Sequence, residues 1–374
     1  MGKWYMEGNI LKFDHRGCIS SFVMPDYFRL KDTHPDLLKL AEYALYWKFD
    51  ADIIKDYEWT RKPKGNGIGL NYSGGMDSTA VLTLIDNYED VHLFYCNRWN
   101  INIPNSQLNE TNAFRAFRMV KEISGREVNI IKTDLHRIRN VEQNLQYGYP
   151  SDDAMFIGSI LLADVLNIRY ISAGAMLNTC FKKDGVYRPF HTSKYWIEHL
   201  DLYRKAGLEL FYPVMCCSEV LTNKICNMGR YAGVGQTCVR GKVEGEGCLN
   251  CFKCFRKKLI NGIQIPMNKE TTRTLEFEKM KKIEMIFELG YAINKYGFKI
   301  PELDKFKFNE FDLNFFEDYC EQELGCVPLE LKDFTITELN KYTKPMAVDL
   351  KTFTENYFDK ITRHLIPYFM KHEV

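Results

Sequence analysis

The stretch LNYSGGMDSTAVL, residues 70–82, sets two serines, two adjacent glycines and one carboxylate between an apolar run and the start of a helical pattern. A strand that ends in Ser-Gly-Gly and passes straight into a helix presents several unpaired backbone N–H groups at one point, where the helix dipole adds partial positive charge. Gly74 and Gly75 let the backbone approach a bulky anion with no Cβ in the way. Ser73 and Ser78 can donate hydroxyl protons to phosphate oxygens, and Asp77 can cap the turn or lie beside a magnesium ion. An N-capped helix after a glycine turn is the plainer reading of Gly-Gly alone. The full string S-G-G-x-D-S, placed after the first strand of a parallel α/β unit, favours an anion cradle. The stretch matches neither G-x-x-x-x-G-K-[ST] nor G-x-G-x-x-G.

The second chemical signal is TCVRGKVEGEGCLNCFKCFRKK, which holds Cys238, Cys248, Cys251 and Cys254 as C-x9-C-x2-C-x2-C. Two overlapping C-x2-C steps on a glycine-started turn are not a core-packing pattern. Four thiolates suit a tetrahedral zinc ion, and a complete shell makes the site structural rather than catalytic. An iron–sulfur cluster also takes four cysteines, and spacing alone leaves it open. Lys253, Arg256, Lys257 and Lys258 follow, and a solvated face is their default. Cys18, Cys96, Cys180, Cys216, Cys217, Cys226, Cys320 and Cys326 lie outside the array and read as buried thiols.

The elements that must position these groups alternate. Strands are expected at GIGLNY, DVHLFYCN, EVNIIKTD and RYISAGAM. Helices are expected over about 78–87, over ETNAFRAFRMVKEIS with Gly125 as its stop, and over DDAMFIGSILLADVLN. This alternation predicts a doubly wound parallel α/β sheet covered on both faces, with ligands beyond the carboxyl ends of its strands. Before it, residues 1–65 form an N-terminal extension, a short mixed region followed by the helical pattern HPDLLKLAEYALYWKF. Residues 66–262 carry both motifs, and residues 263–374 read as a helical C-terminal domain built on KETTRTLEFEKMKKIEMIFELGYAINKYG and DLKTFTENYFDKITRHLIPYFMKH.

Composition narrows the classes. The chain has 374 residues, 45% of them hydrophobic, and its 50 Lys and Arg against 49 acidic residues give a net charge of +1. That balance argues against binding nucleic acid through overall basicity. No run of about 18 apolar residues offers a membrane span and the N-terminus lacks the apolar core of a signal peptide, so a cytoplasmic protein is expected.

YSGGMDSTAVL resembles, along its whole length, the signature loop of the PP-loop ATP pyrophosphatases, which have the adenine nucleotide alpha hydrolase-like fold. The resemblance implies ATP and Mg2+ as ligands, with Ser73, Gly74, Gly75, Asp77 and Ser78 holding pyrophosphate. It puts backbone at Tyr95, Cys96 and Asn97, and near Gly174, beside the adenine, and makes Asp77 and Ser78 the catalytic pair. FYPVMCCSEVLTNKICNMG, with the cysteine array after it, resembles the 7-cyano-7-deazaguanine synthases, over about residues 66–260. That family carries four-cysteine Zn2+ motifs and converts 7-carboxy-7-deazaguanine and ammonia to an amide and then a nitrile, with ATP.

Departures from that family pattern matter. Ser218 stands where a lysine is usual, Arg256 comes one place early after the last cysteine, and MLNTCFKKDGVYRPFHTSKYW replaces the substrate loop after the fourth strand. In that loop Lys182, Lys183, Arg188, His191 and Lys194 are either a solvated basic face or binders of a carboxylate or phosphates, with His191 able to relay a proton. Some relatives with added domains belong to bacterial anti-phage operons, and there the acceptor is expected to be the amino terminus of a partner protein. The resemblance also allows a homodimer. A PP-loop tRNA-thiolating enzyme is the alternative, disfavoured by the charge balance. A non-catalytic nucleotide-binding scaffold is the third reading.

Overall fold

The computed structural model describes residues 2–50, 52–98, 109–145, 148–181, 186–236, 238–269, 271–272 and 286–361. One sheet of eight strands runs through it in the order β1-β2-β3-β6-β5-β4-β7-β8. β4 (Gly67–Asn71), β5 (Val91–Arg98), β6 (Val128–Thr133), β7 (Ile168–Ser172) and β8 (Glu209–Phe211) pair in parallel. From β4 the chain steps outward through β5 to β6, then returns to β7 on the other side of β4. The seam between β4 and β7 is therefore the switch point, where a crevice opens beyond the carboxyl ends of the strands.

β1 (Lys3–Glu7), β2 (Ile10–His15) and β3 (Cys18–Val23) form an antiparallel meander that joins the sheet through Phe22↔Thr133 and Val23↔Lys132. From the sequence this region reads only as short mixed structure. Its turns are two-residue loops at Gly8-Asn9 and Arg16-Gly17, with Gly8, Arg16 and Gly17 at positive φ, the geometry that suits tight hairpins.

The period of two along the central strands sorts side chains into two cores. Leu93 and Tyr170 enter one cluster and their neighbours Phe94 and Ile171 the other. α1 (Pro35–Tyr46), α5 (Ile157–Leu161), α6 (Lys194–Lys205) and α8 (Phe252–Ile260) contribute to the core that holds Phe94. α2 (Met76–Ile85), α3 (Thr111–Ser124) and α7 (Glu219–Met228) contribute to the other. A further short helix, α4, spans His136–Gln143.

Gly125 ends α3 at φ 73°, its N–H bonded to Lys121 O, as expected for a glycine stop. The helix expected over residues 152–167 is shorter. Asp153–Phe156 is a 3-10 turn, and beyond Leu161 the Ala163 N–H reaches Ile160 O, three residues back. Asn167, at φ 54°, then turns the chain directly into β7.

Towards the C-terminus lie α9 (Ile286–Tyr296), a run of 3-10 turns between Pro301 and Cys326, α10 (Leu329–Leu339) and α11 (Leu350–Ile361). Part of each helix expected there falls outside the described residues. Phe287 and Tyr357 pack in the Phe94 core, whereas Leu331 and Leu339 pack in the opposite one. Among the described residues no helix is long and apolar enough to cross a membrane.

Leu11 and Phe13 of the meander share one core with Leu40 of α1 and with Phe94 and Ile131 of the parallel strands. Leu40→Ala should cost about 2–5 kcal/mol. In urea the far-UV and tyrosine signals should still fall in one coincident transition; separate transitions would show that the meander and α1 unfold on their own.

Candidate functional site

At the end of β4, Asn71 Nδ2 donates to Ser172 O of β7 over 3.2 Å, so the two strands part just beyond this bond. The chain then makes the Ser-Gly-Gly corner into α2. Gly74 has φ +72°, and a Cβ there would lie 2.9 Å from Ala116 Cβ and 3.1 Å from Ala113 Cα. Gly174, after β7, is as tightly placed, since a Cβ would fall 2.8 Å from Ser78 N and 2.9 Å from the Asp77 carbonyl carbon. Glycines at both positions let α3 and the segment after β7 close against the first turn of α2.

Within the corner Ser73 Oγ and Ser78 Oγ are 3.2 Å apart, Gly75 N donates to Ser73 Oγ at 3.3 Å, and Ser78 Oγ donates to Gly75 O at 3.1 Å. Ser73 is exposed, whereas Gly74, Gly75 and Ser78 are buried. The N-cap is Gly75, so α2 starts without a side-chain cap. The donors of its first turn and the positive end of its dipole thus meet at the switch point.

Around this corner lies a buried layer of charge. Asp77 Oδ1 accepts from Thr222 Oγ1 at 2.9 Å and from Lys257 Nζ at 3.2 Å. Lys257 Nζ also reaches Glu219 Oε1 at 2.7 Å, and Arg256 grips both Glu219 oxygens, Nη2 to Oε1 at 3.0 Å and Nε to Oε2. Glu219 is fully buried, which alone would raise its pKa, but Lys257 and Arg256 outweigh burial and hold the carboxyl down at about 2. Burial opposes the charge on Lys257 as well; the carboxylates of Asp77 and Glu219 prevail and raise its pKa.

The default of a solvated face is thus wrong for Arg256 and Lys257, which are 4% and 8% exposed. Their partners lie on α2 and α7, far off in sequence, so no local pattern marks them. Lys253, on the same helix, stays exposed. Ser218 caps α7, accepting from Leu221 N at 3.1 Å.

The four cysteines of the array converge. Their Sγ atoms all lie within 4.8 Å of one another, with Cys238–Cys251 and Cys248–Cys254 at 4.0 Å, so the group could hold a metal ion. Cys251 Sγ also caps α8, accepting from Cys254 N at 3.4 Å. Asn112 of α3 clamps the intervening loop, accepting from Gly245 N at 2.8 Å and donating to Glu246 O at 2.9 Å. Gln236 N donates to Gly74 O at 2.9 Å. The thiol knot therefore touches the glycine corner through its leading loop and aims Arg256 and Lys257 through α8.

The other expected site residues are more dispersed. On β5, Tyr95 OH and Asn97 Nδ2 donate to the two oxygens of Glu110 at 3.2 and 3.1 Å. Cys96 points into the core, its thiol bonded to Met155 O at 3.3 Å and pushed by burial to about 12. Its carbonyl accepts from Tyr149 OH at 3.3 Å.

Lys182 and Lys183 lie outside the described residues. Arg188 is exposed, with its N–H on Cys180 O at 2.8 Å. His191 packs against Gly325, with Nδ1 3.7 Å from the buried Glu323, which also accepts from Tyr187 OH at 2.6 Å. Lys194 is exposed and faces Glu198 on its own helix at 3.6 Å. The cation beside Asp77 is instead Lys257.

Residues 198–358 match the model of a family of unknown function, DUF6395. No curated protein and no solved structure matches the chain. The matched span includes Glu219, the four cysteines, Arg256, Lys257 and most of the C-terminal helices, so it crosses the boundary expected near residue 262.

Glu288 of α9 gives the site a pH signature. It is 1% exposed, takes a hydrogen bond from Asn178 Nδ2 on Oε1, and has no hydrogen-bond partner on Oε2. Desolvation, then the nearby charge of Glu219, push its pKa to about 8. A carboxyl whose pKa is higher folded than unfolded contributes stability below about 4.5 that is lost as pH rises through about 8. Urea midpoints should fall across that window in the wild type, and Glu288→Gln should flatten the fall. An unchanged slope in the variant would place the titration elsewhere.

Proposed function

We propose that the chain is an ATP-dependent ligase of the PP-loop type, which adenylates a carboxylate and joins it to nitrogen. One observation carries the reading: the uncapped start of α2 sits at the β4–β7 switch point, with glycines at 74 and 174 where any Cβ would collide. Such a corner suits a pyrophosphate group, which needs many fixed donors and close backbone approach.

In this scheme the amides of residues 74–78 and the hydroxyls of Ser73 and Ser78 hold the β- and γ-phosphates. Lys257, already turned toward Asp77, adds positive charge where the leaving group gains negative charge. The nucleoside lies along the ends of β5 and β7, beside Tyr95–Asn97 and Gly174. A carboxylate oxygen attacks the α-phosphorus, the bond to the bridging oxygen breaks, and pyrophosphate leaves. The amine lone pair then attacks the acyl carbon, AMP departs with the C–O bonding pair, and nitrogen loses a proton.

With ammonia the product is an amide. A second ATP adenylates the amide oxygen, releasing pyrophosphate; AMP then departs with the C–O bonding pair while nitrogen loses both its protons, which gives a nitrile. The acid is 7-carboxy-7-deazaguanine or a close analogue, and the amine is ammonia or the amino terminus of a partner protein, as in an anti-phage operon. Bound Mg2+ would neutralise phosphate charge, with Asp77 the nearest carboxylate of the corner.

The thiol knot is proposed as a structural zinc site. Its 4.0 Å Sγ separations are near the edge of about 3.8 Å that a tetrahedron with bonds of about 2.3 Å requires. An iron–sulfur core would spread its ligands farther. Four cysteines complete the shell, so the role of the ion is to hold α8 in place.

Incubation with ATP, 7-carboxy-7-deazaguanine and ammonia should yield AMP, pyrophosphate and an amide or nitrile by mass spectrometry; a protein acceptor would instead gain mass. Lys257→Met should lower kcat/KM for pyrophosphate release by about 100-fold or more. Pyrophosphate release that survives intact in Asp77→Ala and Ser78→Ala would sink the reading. Native mass spectrometry should find one zinc per chain, and chelation should weaken ATP binding as well as lower Tm, because Cys251 caps α8.

A further inference from the structure

We propose that the open edge of the sheet at β1 is a dimer contact, in which β1 pairs antiparallel with β1 of a second copy of this chain about a two-fold axis at Tyr5. β1 ends the strand order and pairs only with β2. Glu7 and Ile10 close the two-residue turn between them, so Lys3, Tyr5 and Glu7 turn their backbone groups to β2. By the same alternation Trp4 and Met6 aim theirs away from the sheet, and no hydrogen bond among the described residues meets them. The strand has no proline and keeps its register without a bulge, two of the devices that usually blunt an edge.

Charge is the third device, and here it selects a partner instead of excluding one. KWYME carries one cation and one anion, each two places from Tyr5. Turned about a two-fold axis at Tyr5, the strand sets Lys3 opposite Glu7 of the second copy at both ends, Trp4 opposite Met6, and Tyr5 opposite itself. Opposite charges so placed attract, and like charges would repel. Every outward N–H and C=O of the two strands then finds a partner, because Trp4 and Met6 become the hydrogen-bonded pairs. Sliding the register by two residues either way leaves Lys3 or Glu7 against Tyr5 and loses both ionic pairs. A strand of another protein would need the same charge order to match this edge.

The two faces of β1 agree with this register. Trp4 and Met6 are half-buried against the Phe94 core. Trp4 stacks on Phe13 with ring centres 4.4 Å apart, and its Nε1 donates to Glu42 at 3.2 Å. The side chain is thus fixed before a partner arrives, which lowers the entropic cost of association. On the other face Glu7 is bonded to Lys12, and the ammonium groups of Lys3 and Lys12 lie 5.9 and 6.0 Å from the centre of the Tyr5 ring. Lys3 makes no ion pair among the described residues; Glu7 of the second copy would supply one.

Sedimentation equilibrium of the full-length protein should show a monomer–dimer equilibrium with Kd below about 50 µM. Lys3→Glu sets like charges opposite each other at both ends and should weaken the dimer about tenfold, as should Glu7→Lys. The Lys3→Glu/Glu7→Lys double variant exchanges the signs and should recover most of that loss. Both positions are exposed, so Tm should hold in all three. Facing Cα atoms of a non-hydrogen-bonded pair lie about 4.5 Å apart, within reach of a disulfide. Tyr5→Cys should therefore give a disulfide-linked dimer with oxidised glutathione where the wild type gives none. A monomer at every concentration up to about 100 µM, a dimer indifferent to the single reversals, a double variant no tighter than the singles, or Tyr5→Cys chains that stay unlinked would overturn the assignment.

Discussion

The arrangement at the crevice depends on one buried carboxylate. Glu219 is at 0% exposure, and an ionised carboxylate out of water costs several kcal/mol unless cations meet it directly. Arg256 and Lys257 do so, and both belong to α8, whereas Glu219 and Thr222 belong to α7. α7 packs on α2, and Asp77 of α2 takes its bonds from Thr222 and Lys257. Three helices far apart in sequence are thereby locked around one residue of the Ser-Gly-Gly corner. Removing either cation would leave negative charge buried and unmet, so the cluster specifies the packing as well as stabilising it.

The thiol knot belongs to the same mechanical unit. A nine-residue helix such as α8 has little stability of its own, so its direction must be imposed at its ends. Cys251 and Cys254 impose it at the start, the loop between Cys238 and Cys248 is pinned to α3 by Asn112, and Gln236, just before the knot, is pinned to the corner. The C-terminal segment closes the layer from the other side, because Glu288 of α9 is buried close enough to Glu219 for the two carboxyls to repel. The family match covers Glu219, the thiol knot, α8 and α9, and leaves out α2, α3 and the glycine corner.

Much of the architecture was legible locally. The parallel strands announce themselves as apolar runs separated by amphipathic stretches, and Gly125 marks its helix end because a left-handed residue is needed there. The meander β1–β3 was legible in principle, since Gly-Asn and Arg-Gly sit between short alternating segments. Its strands are only five and six residues long, and their half-buried pattern appears once β3 is paired to β6. The helix expected over residues 152–167 failed for a different reason. Apolar content there reflects burial between α1 and the face of β4, β5 and β7, which short irregular turns satisfy as well as a long helix does.

By itself the sequence determined the groups whose chemistry is local: the glycine-rich corner between a strand and a helix, and four cysteines spaced for one metal ion. Each is written within a few residues, because backbone freedom and ligand reach act over short chain distances. The tertiary structure alone decided which cations stand beside Asp77. The basic loop of residues 182–194 looked the natural source, yet His191 turns to Glu323 and Lys194 to Glu198, and Lys257 reaches Asp77 across 180 residues. Electrostatic pairing depends on distance in space, and a lysine on a short helix carries no mark in its neighbours of which carboxylate the fold will bring to it.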